Sequence, residues 1–161
     1  MKIPAAVLIL WSASASGAPS IVAADGQWAA LSQGRTCEAA TRNVGTVYKG
    51  RAPARASISY DAGGPRHGQF TARLSHPPRP GATVMLHIGD QPFLLMNQND
   101  MAWSRGPKQE QAIIAAMRSN GGMRVEARSP GGGRIVDRYA LDGAPLAIDA
   151  AAACAAGLAN R

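Results

Sequence analysis

Apolar and polar residues alternate over short stretches through most of the chain, which is the period of two that a half-buried strand requires. The clearest case is residues 69–75, where Phe70, Ala72 and Leu74 share one face and Gln69, Thr71, Arg73 and Ser75 the other. Residues 56–60 place Ile58 and Tyr60 opposite Ser57 and Ser59, and residues 123–128 alternate Met123, Val125 and Ala127 with Arg124, Glu126 and Arg128. The run Ser129-Pro130-Gly131-Gly132-Gly133 then turns the chain into a return strand over 134–141. Residues 83–88 and 91–96 read as a second hairpin around Gly89-Asp90. Shorter extended segments are expected at 28–31, 37–47 and 101–104, while the proline-rich loop 76–81 suits no strand.

Two stretches break this period. Residues 107–120 begin at Pro107, carry an apolar stripe of Ala112, Ile113, Ala116 and Met117, and stop before Gly121. Residues 145–156 are alanine-rich and end near Gly157. Eighteen glycines and eleven prolines against 5% aromatics favour many turns over a long-helix bundle. The expected fold is mostly β, an antiparallel β-sandwich or open barrel with two short helices at roughly 107–120 and 145–156.

The first residues do not belong to that pattern. Met1-Lys2 is followed by an apolar run over 3–11 and then by Ser12, Ala13, Ser14, Ala15, Ser16, Gly17 and Ala18, the order of a secretory signal. The run is far shorter than the roughly 20 residues of a membrane-spanning helix. A signal peptide within 1–24, cut somewhere after residue 15 to 24, and one β-rich domain over 25–161 are therefore expected. The expected location is the periplasm, the cell surface or the medium, with no integral membrane span after cleavage. Export gives the two cysteines their meaning. Cys37 and Cys154 form the one possible pair, and an oxidising compartment favours a disulfide between them.

The formal net charge is +7. Its arginines are spread from Arg35 to Arg161, so the sequence suggests a generally cationic surface and points to an anionic envelope component or an unidentified protein as partner. Nucleic acid is not expected for an exported chain. Local chemistry is sparse. His67, His76 and His87 match no zinc spacing, the triple glycine lies between strands rather than before a helix, and the carboxylates form no acid/base pair in sequence. No metal, cofactor or catalytic residue is assigned. Asp137 stands out because it shares the apolar phase of Ile135, Tyr139 and Leu141, and a carboxylate there needs a partner, most naturally an arginine. Trp28 and Trp103 are read as core anchors or binding aromatics.

Several segments occur in a recognisable order. They are Phe93-Leu94-Leu95, Ala102-Trp103, residues 112–118 leading into Met123-Arg124-Val125, and the run from Asp137 through Tyr139-x-Leu141-x-Gly143 to Ala147, closed by Cys154. With Trp28 and Cys37 upstream, this resembles the invasion-associated locus B family of bacterial envelope proteins across residues 28–154. The family often carries an aromatic where Ala144 stands. The resemblance implies a small exported, non-catalytic β-rich domain and supplies no catalytic residue. The function expected is thus an envelope-associated binding or structural protein that contacts anionic envelope or host-surface components. The alternative is a small periplasmic hydrolase or transferase acting on envelope polymers, which would place a second carboxylate or a histidine near Asp137.

Overall fold

The computed structural model describes residues 17–161, so the apolar run of the expected signal peptide lies outside the described residues. Ten strands follow one another as β1 (Ser20–Asp25), β2 (Trp28–Gln33), β3 (Thr36–Arg42), β4 (Arg55–Asp61), β5 (His67–Arg73), β6 (Val84–Ile88), β7 (Gln91–Gln98), β8 (Met101–Trp103), β9 (Gly122–Arg128) and β10 (Arg134–Ala140). Helix α1 (Pro107–Ser119) joins β8 to β9, and α2 (Ala144–Ala159) follows β10. The strands form a single antiparallel sheet in the order β1-β2-β3-β4-β5-β8-β7-β6-β9-β10. It is not closed into a barrel, which agrees with the mostly-β sandwich or open barrel expected from the pattern.

Alternation decides which face is buried. Ala39, Ile58, Phe70, Ala72, Ala102, Leu95, Val84, Leu86 and Val125 lie on linked registers and form one continuous core. Helix α2 packs chiefly on β1, β2 and β3, and α1 on β5. The sheet coils so that β10 reaches β2 and the loop after β3. The Trp28 indole N–H donates to the Ala140 carbonyl at 2.9 Å. Val44 N–H donates to the Arg138 carbonyl at 2.9 Å, while the Asn43 side-chain oxygen accepts from Arg138 N–H at 2.8 Å. These contacts cover part of the edge that β10 would otherwise expose.

Most expected elements appear within a few residues of their bounds, and three differ for identifiable reasons. The strand expected over 37–47 ends at Arg42, because the Asn43 side chain also accepts from Gly45 N–H at 3.0 Å and turns the chain. The strand expected over 69–75 begins at His67 and ends at Arg73, since Leu74 N–H is taken by the Asp100 carbonyl. Strand β1 was not expected at all. Its exposed Ile21, Val22 and small residues read like the tail of a signal, yet the strand pairs antiparallel with β2, with a bulge at Val22 where the register shifts.

Helix α2 is held at both ends. At its start, Gly143 has φ +82° and a side chain there would stand 1.8 Å from the Asp25 carbonyl oxygen. Gln27 N–H donates to the Asp142 carbonyl at 3.1 Å, so the β1–β2 turn and the turn into the helix interlock. Toward its end, Cys154 is bonded to Cys37 on β3, with Cα atoms 6.1 Å apart.

Candidate functional site: the arginine-lined open face

The sheet face turned away from the core carries the chain's polar chemistry. Cross-strand register sets it out in rows. One row runs Arg42, Arg55, Arg73, Met101 and Gln98 across β3, β4, β5, β8 and β7. The next runs Ala40, Ser57, Thr71, Trp103 and Met96, and a third Glu38, Ser59 and Gln69. Two connected depressions lie over these rows. A groove of about 680 Å³ extends from Leu31 and Trp28 to Arg42, Arg55 and Arg73. A smaller hollow of about 250 Å³ shares Glu38, Arg55 and Arg73 with it and adds Arg66, Ser57, Ser59 and Thr71.

Four arginines thus line these depressions, with Glu38 among them and Asp61 beside Arg66. Arg55 is paired with Glu38. Arg66 is bound to Asp61, its nitrogens at 2.7 and 2.9 Å from the two carboxylate oxygens, and to the Thr36 hydroxyl at 3.0 Å. The Arg66 guanidinium holds the Asp61 carboxyl below the usual carboxylate range despite the opposing effect of burial. Arg73 is different. It donates from Nη2 to the Pro53 carbonyl at 3.0 Å, but its Nε is buried without an acceptor, and among the described residues it has no ion-pair partner. A guanidinium fixed in this way retains charge for an external anion.

The residues singled out from sequence fall in different places. Cys37 and Cys154 form the disulfide. Trp28 is 1% exposed and belongs to the core, whereas Trp103 is partly exposed on the open face. Asp137, on the edge strand β10, is 1% exposed and accepts from Ser75 N–H at 2.9 Å. The expected arginine partner is replaced by this main-chain donor, because the chain after β5 folds over β10 and brings the amide to the carboxylate. Tyr139 is buried beside it, its hydroxyl without a partner, and burial together with Asp137 raises its pKa well above the normal tyrosine range. Asp137 and Tyr139 are buried and lie outside the hollows of the open face. Among the described residues, no three His, Cys, Asp or Glu side chains gather so as to hold a metal ion.

The open-face residues Glu38, Arg55, Arg66 and Arg73 did not stand out in the sequence. Only Arg73 belonged to a phase the pattern marked, the polar side of 69–75; Glu38, Arg55 and Arg66 lay outside the clearly alternating stretches, and the cluster emerges only once register sets β3, β4 and β5 side by side. Compared with known protein families, curated proteins and solved structures, the chain matches none.

Proposed function

We propose that the protein is an exported, non-catalytic binding domain of the cell envelope, similar to invasion-associated locus B proteins, that holds anionic envelope or host-surface components on the open face of its sheet. The carrying observation is the pair of connected hollows in which Arg55 and Arg66 are answered by Glu38 and Asp61, while Arg42 and Arg73 have no ion-pair partner among the described residues. The disulfide fits an oxidising compartment, and no helix among the described residues is long and apolar enough to cross a membrane. The burial of Asp137 favours binding over hydrolysis or transfer, since general acid/base work needs a group within reach of substrate. In this reading the signal peptide is cut after Ala15 or Gly17, because a cut after Ala24 would remove nearly all of β1.

Dextran sulfate and dextran test the reading, as they share a backbone and differ in charge. The protein is expected to bind the sulfated polymer alone, with affinity that falls as salt rises. Arg73→Gln is expected to weaken binding severalfold, and Arg105→Gln or Arg161→Gln, at exposed positions elsewhere, to leave it nearly unchanged. Equal losses at all three positions would contradict the reading and indicate a diffuse cationic surface.

A further inference from the structure

Next to the arginines the open face changes character. A hollow of about 430 Å³ is lined by Trp103, Met101, Gln69, Thr71, Gln98 and Asn99. Thr71 and Met101 also line the arginine hollow, so the two are continuous. Thr71 is the cross-strand partner of Trp103, and Arg73 that of Met101. Arg73 and Trp103 are therefore diagonal neighbours, with a backbone separation of roughly 7–8 Å.

Resting on the anion-binding reading above, we propose that the ligand is an acidic polysaccharide, with a sugar ring against Trp103 and its carboxylate or sulfate at Arg73 and Arg55. Three features favour a sugar over other anions. An indole offers a flat apolar surface to the C–H face of a pyranose ring. The amides of Gln69, Gln98 and Asn99 around it each carry both donor and acceptor, which matches ring hydroxyls. An acyl chain would bury these amides without partners, at a cost in affinity, and an inorganic polyanion has nothing to place against the indole. The diagonal spacing sets the charged site one substituent or one sugar unit from the platform.

Calorimetric titration of the full, disulfide-bonded chain with oligogalacturonate, a maltooligosaccharide of equal length, linear polyphosphate and phosphatidylglycerol vesicles tests this. Oligogalacturonate is expected to bind most tightly, the neutral oligomer weakly or undetectably. Trp103→Ala is expected to weaken oligogalacturonate about tenfold and to leave polyphosphate unaffected, with Trp103→Phe retaining most of the affinity. Gln98→Ala, at an exposed position that carries no folding risk, is expected to weaken the uronate alone about threefold. Polyphosphate binding as tightly as the uronate, with neither Trp103 nor Gln98 affecting it, would overturn the polysaccharide inference and leave the anionic face standing. Preferential vesicle binding that depends on Trp103 would overturn it in favour of a lipid surface. Binding of none of the anions, or binding indifferent to Arg73→Gln, would overturn both readings.

Discussion

Gly143 and Asp61 show how single residues fix this fold. Gly143 needs a positive φ, and there is no space for a Cβ because the Asp25 carbonyl oxygen lies 1.8 Å from where it would sit. Gly132 has the same φ of +82° but open space around it. Gly132→Ala is therefore expected to cost about 1 kcal/mol of backbone strain, and Gly143→Ala at least about 2 kcal/mol more through displacement of the β1–β2 turn, both read by urea unfolding. Equal losses would show that the turn is not interlocked. Asp61 gives a pH dependence whose sign is fixed. Its folded pKa lies below the ordinary 3.8, so its contribution is complete above that pH and disappears as pH falls through the lower folded value. The stability difference between the native chain and Asp61→Asn is expected to be about 1 kcal/mol at neutral pH, modest because Arg66 is partly exposed, and to shrink below about pH 4. A difference that grows on acidification would contradict the assigned pairing.

At the scale of elements, α2 depends on two fastenings far apart in sequence. The disulfide closes a loop of 117 residues, and the interlocked glycine turn secures the helix start. Cys154→Ser is expected to lower stability by about 2–5 kcal/mol in denaturant unfolding, while leaving anion binding at the folded protein's open face intact. A stability loss well under 1 kcal/mol would show that the helix is held without it. Helices and hairpins were legible in the sequence because their signals are local. Pro107 marks a start, Gly89-Asp90 a two-residue turn, and 129–133 a loop closed by Ser129 N–H to the Gly133 carbonyl. Strand β1 was not, because an edge strand exposed on most of its length has no apolar phase to reveal it. The partner of Asp137 was equally hidden, since a main-chain amide from residue 75 leaves no trace in side-chain composition.

Over the whole molecule, the same logic separates what the charge total said from what the fold does with it. A net +7 spread along the chain suggested a diffuse cationic surface. Register places Arg42, Arg55 and Arg73 in one row, with Arg66 beside them, and sets Trp103 on the same face. On the helical side, Arg118 of α1 is tied to Asp149 of α2 in a pair between elements. The claim that binding belongs to the open face is tested most directly by two-dimensional amide NMR of the isotope-labelled protein during titration with oligogalacturonate. Shifts concentrated on β3, β4, β5 and β8, including the Trp103 indole N–H, with α1 and α2 unmoved, are the predicted result. Small shifts scattered over every exposed arginine, or shifts centred on the helices, would contradict it.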